Sequence, residues 1–416
     1  MLTTYKLQLS LALLGLATFT MACQQSTSTN QVSTAQTPSE AISPIDQTNQ
    51  TNQTNQTNQT GNSSADKSTT PVRFKVETIA SGLEVPWDLE PLPDGRIFVL
   101  ERAGRVRILR NQQLDPTPYP VTLDNFSARG QGGLMDMTVH PDYANNKLIY
   151  LSYTVQTNSA MYTRVARFRD TGTGLVFDRQ IFNAEPVDST KHFGSRLGFG
   201  NDGKLYISLG ERGKWDLAQD LGNLKGKTLR LEADGTIPVD NPFVGRNGAK
   251  PEVFSYGHRN AQAMAFQPGT GLIWQAEHGP TGNDRPGGGD EINIVEAGKN
   301  YGWPLIHHSQ TQAGLESPLM EFTPATAPGG AAFYTGDRFP QWQGNLFVAN
   351  LRGQSLQRFT INGRQIVGVE KLLSNEYGRF RAVAVADGYV YVSTSNGDGY
   401  GSGNRGEDTI LRLSPQ

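Results

Sequence analysis

At 416 residues the chain is longer than a typical domain of ~100–200 residues, a length that a single repeat-built β fold can still fill. Its 46 glycines and 36% hydrophobic content suit a turn-rich β protein better than a helical one. A net charge of −2, with both signs mixed along the chain and no basic block, argues against nucleic acid as a partner, and a single cysteine, Cys23, excludes an intrachain disulfide.

Residues 1–23 read as an export signal: Lys6 lies in a short leading region, an apolar run covers 7–19, and small residues precede Cys23. The apolar run is too short for a good membrane span. A cysteine in that place resembles a bacterial lipoprotein processing site, where the thiol is acylated, although Thr20-Met21-Ala22-Cys23 lacks a leucine three residues before it. The expectation is an exported protein of the periplasm or cell envelope, touching membrane only through a lipid anchor at Cys23. Residues 24–70 are rich in Gln, Asn, Thr and Ser, and Thr48-Asn49-Gln50 repeats through Thr60. With almost nothing apolar to bury, this segment predicts a disordered linker.

Residues 71–416 form the expected folded domain. A Gly or Asn turn recurs before an alternating run with an aromatic near its centre. The aromatics are Phe98, Tyr150, Tyr206, Trp274, Phe347 and Tyr391, spaced from 44 residues (Phe347 to Tyr391) to 73 (Trp274 to Phe347). Periods near ~40–50 residues are characteristic of propeller blades, so six copies predict an all-β, six-bladed β-propeller with four-stranded blades. The alternating run Arg73-Phe74-Lys75-Val76-Glu77-Thr78-Ile79 is expected to pair with Thr409-Ile410-Leu411-Arg412-Leu413 and close the ring, which removes exposed sheet edges. Two β-sandwiches are the competing architecture. In a propeller, the polar residues after each aromatic run, Glu101-Arg102, Gly210-Glu211, Glu277-His278 and Asn350-Leu351-Arg352, are expected to converge on the axis.

Five constellations carry candidate chemistry. Gly130-Gln131-Gly132-Gly133 combines close backbone approach with the amide of Gln131. Lys191-His192-Phe193-Gly194-Ser195-Arg196 offers a histidine whose ordinary pKa suits a general base, although a lone histidine is more often a packing residue. Gly257-His258-Arg259-Asn260 supplies a permanent cation for an oxyanion, and Glu277-His278-Gly279-Pro280 with Asp290-Glu291 and Asn300-Tyr301 supplies the hard oxygens that Ca²⁺ favours. Arg352 with Arg379-Phe380-Arg381 would suit an acidic ligand, because arginine pairs bidentately with carboxylates. Solvated surface arginines are the plainer reading of that last group.

Taken in order over some 340 residues, these motifs, together with Val85-Pro86-Trp87 and Asn300-Tyr301-Gly302-Trp303-Pro304, resemble the soluble pyrroloquinoline quinone (PQQ)-dependent aldose sugar dehydrogenases of the glucose/sorbosone dehydrogenase family. The resemblance implies PQQ and Ca²⁺ at the mouth of the axis and oxidation of an aldose at its C1 hydroxyl to the lactone. His192 falls where the family has its base and Arg259 beside the reactive quinone carbonyl. Gln131, Asn260, Asn350, Leu351 and Arg352 fall on cofactor-contacting positions, and the Arg379-Phe380-Arg381 segment where the PQQ carboxylates are held. Gly279 and Pro280 fall on the cofactor's calcium, and Glu291 and Tyr301 on a second calcium site.

Two alternatives remain open at this stage: a calcium-dependent propeller lactonase or esterase, and a non-catalytic carbohydrate-binding propeller on the cell surface. The chain also departs from the family's pattern. Its link over 281–289 is longer, the segment 307–312 lacks an aromatic over the cofactor, and Lys191 replaces an acid that orients the histidine in the glucose-oxidising branch. The residue that aligns His192 must therefore come from elsewhere, and the electron acceptor is not named by any motif.

Overall fold

The structure, a computed structural model, describes residues 72–400 and 407–416. The export signal, Cys23 and the linker expected over 24–70 lie outside the described residues. The described residues form six antiparallel sheets of four strands each, with one single-turn helix, Tyr143–Asn146, and two 3₁₀ turns. The first strands of successive sheets touch one another in a closed ring: Pro86–Pro91, Leu134–Val139, Gly194–Phe199, Ala261–Phe266, Pro328–Phe333 and Phe380–Ala386. This is the six-bladed propeller expected from the repeat.

Each of the six aromatics lies in the second strand of its blade and is at least 95% buried, because it fills the space against the neighbouring sheet. The expected closure forms as well. Phe74–Leu83 pairs antiparallel with Asp408–Pro415, in register at Val76 with Leu413 and Thr78 with Leu411, so the N-terminal strand completes the sixth blade. One expectation is corrected here. The strands carrying the aromatics do not face the axis; the strand before each one does. Glu101, Glu211, Glu277 and Asn350 consequently sit one layer behind the axis, where they support loops that reach it.

All six first strands carry a register shift near their start, at Pro86/Asp88, Leu134/Asp136, Gly194/Leu197, Ala261/Ala263, Pro328/Gly330 and Phe380/Val383. A bulge re-aims the side chain beside it; in blades 1 and 2 that side chain is Asp88 and Asp136, while in blade 5 the bulge falls at Gly329, which offers only its carbonyl. In blade 3 that side chain is Arg196. Its guanidinium bonds Asp88 of blade 1 at 2.8 Å, Asp136 of blade 2 at 2.5 Å, the Gln262 carbonyl of blade 4 at 2.6 Å and the Gly329 carbonyl of blade 5. Asp136 also accepts the Leu197 N–H, and burial together with the Asp88 charge raises its pKa well above the usual carboxylate range. One buried cation therefore ties five blades together. Below it lies a polar cavity of about 240 Å³ bordered by Asp88, Glu90, Asp136 and Arg196.

Removing Arg196 would strand two buried carboxylates, so Arg196→Leu should lower the unfolding free energy by ~3–5 kcal/mol. Adding Asp88→Leu and Asp136→Leu to that variant should recover part of the loss, because no unpaired charge then remains. A urea midpoint unchanged by Arg196→Leu would show that the ring closes without the hub.

Candidate active site

Above Arg196 the axis opens into a cavity of about 530 Å³. His192 stands at its wall, 6% exposed, on the loop that enters the first strand of blade 3. Its Nδ1 lies 2.9 and 2.7 Å from the two carboxylate oxygens of Glu211, at the end of the second strand of the same blade. A carboxylate can only accept, so Nδ1 carries the proton and Nε2 keeps a free lone pair. The backbone is held just as firmly. His192 has φ of +54°, in the left-handed region, with its N–H donated to Gln131 Oε1 at 2.8 Å. A β-carbon on Gly210 would collide with the His192 carbonyl, so glycine is required there. Arg212 clamps the same loop from behind, donating to the carbonyls of Lys191, Met161 and Ser189 and lying 3.7 Å from the centre of the Phe193 ring.

Burial lowers the pKa of His192 more than Glu211 raises it, and Arg259 and Lys191 add to the lowering. The imidazole is therefore neutral, as a base must be. His278, also at the cavity wall, is pushed down to about 3 by burial and by Arg259 and Arg381, and its Nε2 donates to the Pro328 carbonyl at 2.8 Å.

The opposite wall is cationic. Arg102, Arg352, Arg379 and Arg381 border the cavity, and Leu351 lies among them. Arg381 rests 3.8 Å from the centre of the Trp87 ring, donates to Gln262 Oε1 at 2.7 Å, and is lowered to about 9 by burial. Its Nε is buried without a partner. Asp398, fully buried, accepts from Arg379 at 2.8 Å and lies 3.6 Å from Arg381. Among the described residues, five arginines border the cavity, counting Arg259, against one acid, Asp290, and both its oxygens are taken by main-chain N–H groups of Gly279, Thr326 and Ala327. An orphaned N–H on a positive wall suits a ligand carrying several carboxylates.

Arg259 reaches the cavity from blade 4, with its N–H on Glu277 Oε2 at 2.8 Å, while the other oxygen of Glu277 holds His258 Nδ1 at 3.0 Å. Its guanidinium forks onto Asp284 of the 281–289 link, the long segment noted in the sequence.

Several expected contacts land elsewhere. Asn260 is buried behind the His192 loop, where its Oδ1 accepts the Gly194 N–H at 3.2 Å, and it does not border the cavity. Asn350 is enclosed in blade 5, its amide donating to Val348, Ser355 and Gln357, because its strand is the second and not the innermost. Phe380 is fully buried in the apolar layer between blades 5 and 6; strand alternation sends it away from the axis while its neighbours Arg379 and Arg381 face it. The Tyr301 phenol donates to the Ile294 carbonyl and accepts from the Glu296 N–H, three or more residues along the strand from Glu291, or ~10 Å. The phenol is thus engaged away from Glu291, and only the main-chain oxygen of Tyr301 is left for the expected site. The Glu291 carboxyl lies across the strands from both Glu277 and Glu321, and burial with the Glu277 charge raises its pKa well above the usual range.

Gly279 and Pro280 do border the cavity, and main-chain oxygens are the ligand type a hard cation takes; the Pro280 carbonyl already accepts the Gly288 N–H at 3.2 Å and keeps one lone pair. Among the described residues no group of three or more His, Cys, Asp or Glu side chains is arranged to hold a metal. Sequence reasoning named Glu211 only as one of several polar residues after an aromatic strand, quoted Trp87 in the Val85-Pro86-Trp87 motif without a role, and gave no role to Gln262, Asp398 or Tyr400. Tyr400, exposed at the rim, brings an aromatic to the cavity from blade 6 in place of one from 307–312.

A neutral, carboxylate-aligned histidine facing a cationic wall at the mouth of a six-bladed propeller is an arrangement chemically able to accept a proton beside a bound anion. The glucose/sorbosone dehydrogenase family model matches residues 83–402. The aldose sugar dehydrogenase YliI of Escherichia coli is 38% identical over 83% of this chain and 94% of its own length. The PQQ-bound aldose sugar dehydrogenase of Streptomyces coelicolor superposes with a TM-score of 0.71 at 32% identity, covering 83% of this chain and 99% of that one. A glucose dehydrogenase-like oxidoreductase of Thermus thermophilus gives 0.74 at 39% identity, covering 82% and 100%. The chain belongs to the glucose/sorbosone dehydrogenase family.

Glu211→Gln should reduce kcat/KM by ~10²-fold or more, because the amide no longer enforces the Nδ1–H tautomer. In the parent enzyme, kcat/KM should stay level through neutral pH and fall only below the ordinary histidine value of ~6.5, since His192 is shifted down. Stability should fall as pH drops from ~6.5 toward the depressed value of about 3 at His278, because over that range the unfolded chain binds the additional proton. A stability curve flat across that window would contradict a buried neutral His278.

Proposed function

We propose that this protein is a PQQ- and Ca²⁺-dependent aldose dehydrogenase that oxidises the C1 hydroxyl of the sugar to the lactone, with His192 as general base. The observation that carries the reading is the His192–Glu211 pair across the cavity from the Arg352, Arg379 and Arg381 wall. The names of the family and of the relatives favour the same chemistry and make the chain an oxidoreductase.

When bound, PQQ supplies a two-electron acceptor for the hydride that leaves C1. The chain supplies the rest. Nε2 of His192 takes the hydroxyl proton as the C–O bond becomes a carbonyl, and Glu211 stabilises the imidazolium that results. Arg259 provides a fixed positive charge where negative charge develops on an acceptor oxygen. Arg352, Arg379 and Arg381 would hold carboxylates, and the main-chain oxygens of Gly279 and Pro280 would hold Ca²⁺. Gln131 keeps the base in register through the His192 N–H. Cationic groups placed this way have no task in hydrolysis or in passive sugar binding, which is why the oxidoreductase reading is preferred to a lactonase or a binding propeller.

Export and an acylated Cys23 complete the proposal, supported by the composition of residues 1–23 and by the polar segment that follows. Cys23→Ser should then abolish labelling by a radioactive fatty acid and release the protein from membranes.

Titrating PQQ into the apo-protein with Ca²⁺ should change the cofactor's absorbance to a stoichiometric end point, and the loaded protein should reduce a dye acceptor with aldoses. Arg379→Ala combined with Arg381→Ala should weaken PQQ binding by ~10²-fold, at about 1.4 kcal/mol per tenfold. His192→Ala should bind PQQ normally and lose ~10²–10⁴-fold in turnover. No spectral change and no dye reduction with any aldose would sink the reading, and hydrolysis of lactones or esters by the PQQ-free protein would replace it.

A further inference from the structure

We propose that Asp284, on the long 281–289 link, is a positioning residue that sets the orientation of Arg259 from behind; the assignment rests on the role given to Arg259 above. Asp284 Oδ2 accepts from Arg259 Nε at 3.1 Å and from Nη2 at 2.9 Å, while Nη1 donates to the His278 carbonyl at 3.1 Å. Every nitrogen of the guanidinium is thus occupied, and the ring of Trp303 lies 5.4 Å away. The two side chains are almost fully enclosed, 3% exposed for Arg259 and 6% for Asp284. Arg259 borders the cavity and Asp284 does not, so the carboxylate backs the cation and does not compete for the space a ligand would take.

The link is built to present this one carboxylate. Asp284 Oδ1 accepts the N–H groups of Thr281 at 2.9 Å and Arg285 at 3.2 Å, which fixes the turn on which it sits. Arg285 lies over the Trp215 ring at 5.7 Å, on the rim contributed by blade 3. At the far end, Gly288 donates to the Pro280 carbonyl and Gly289 to Thr323 Oγ1 at 3.0 Å. A β-carbon on Gly279 would collide with the carbonyls of Gly288 and Gly289, so the link closes tightly against its own start. The fork onto Asp284 leaves the guanidinium few alternative rotamers, and its charge is partly offset before any anion arrives. Both effects concern reaction geometry more than affinity, because a free cation would attract an anionic ligand more strongly than a paired one.

This predicts a split between binding and turnover. Asp284→Asn should bind PQQ, followed by quenching of tryptophan fluorescence in the apo-protein with Ca²⁺, at least as tightly as the parent, yet lose about 10-fold or more in kcat, the scale expected when a reacting group is displaced by ~1 Å. Asp284→Glu keeps a carboxylate and should recover part of the rate. Unchanged kcat in Asp284→Asn would overturn the proposal. So would a parallel loss of PQQ affinity and of melting temperature, which would make the link a structural wall. A readout independent of the cofactor keeps this separate from the functional reading: the Arg259 Nε–H resonance should exchange slowly with water in the apo-parent and rapidly in Asp284→Asn. If the parent neither binds PQQ nor oxidises aldoses, the functional reading fails while that exchange difference still tests the fork. Equal exchange in the two proteins would overturn it.

Discussion

A single buried guanidinium at the axis is the constraint from which the remainder of the molecule follows. A propeller closes only if six sheets agree on a common centre, and apolar packing between blades does not by itself set that centre, since it is non-directional. Arg196 supplies direction. It emerges from blade 3 at a bulge and bonds groups of blades 1, 2, 4 and 5. Because the same bulge recurs in every blade, the hub and the functional side chains around it are products of one local distortion repeated six times. The hub borders the polar cavity below it and reaches, through the Gln262 carbonyl, a residue of the larger cavity's wall, so the lock of the fold lies close behind the site.

Above the hub, carboxylates at strand ends connect fold to chemistry. Glu101 accepts the Glu84 N–H at 2.6 Å, Asp408 the Val85 N–H at 3.0 Å, Asp290 the N–H groups of Gly279, Thr326 and Ala327, and Glu277 the Arg259 N–H. Glu211 occupies the equivalent place in blade 3 but grips the His192 side chain. Loops entering a first strand expose N–H groups that the ladder cannot use, and an acid one layer behind satisfies them. The His192–Glu211 pair is then a small change in a structural habit: in four cases the acid orders backbone, Glu277 holding the His258 ring as well, and in blade 3 it orders an imidazole alone.

That layering explains what could and could not be read beforehand. The six aromatics and their turns are local signals, and they located every blade and the closing strand. The motif order placed His192, Arg259, Arg379 and Arg381 at the cavity correctly. Which strand of a blade faces the axis is not local information, and the assumption that aromatic strands do so misplaced Asn350. Phe380 was carried along by its arginine neighbours, although alternation along a strand sends it the other way. Asn260 belongs to the site's scaffold because its loop folds beneath Gly194. Glu211 answers the question raised by Lys191, yet nineteen residues separate it from His192 in sequence, and only the antiparallel return of blade 3 brings them together.

The electrostatics of the cavity show why so much acid is kept behind so much base. Burial lowers both His192 and His278; Arg259 lowers both further, Lys191 adds to the effect at His192 and Arg381 at His278. For His278, which only donates to a carbonyl, that is harmless. For His192 a base lowered too far would hold its new proton poorly. Glu211 opposes the trend through its hydrogen bond and its charge, and Asp398 and Asp284 moderate the positive wall at Arg379, Arg381 and Arg259 from positions outside the cavity. An acid placed inside the cavity would repel the ligand the arginines are there to hold; placed one layer back, it tunes the same arginines without occupying their open faces.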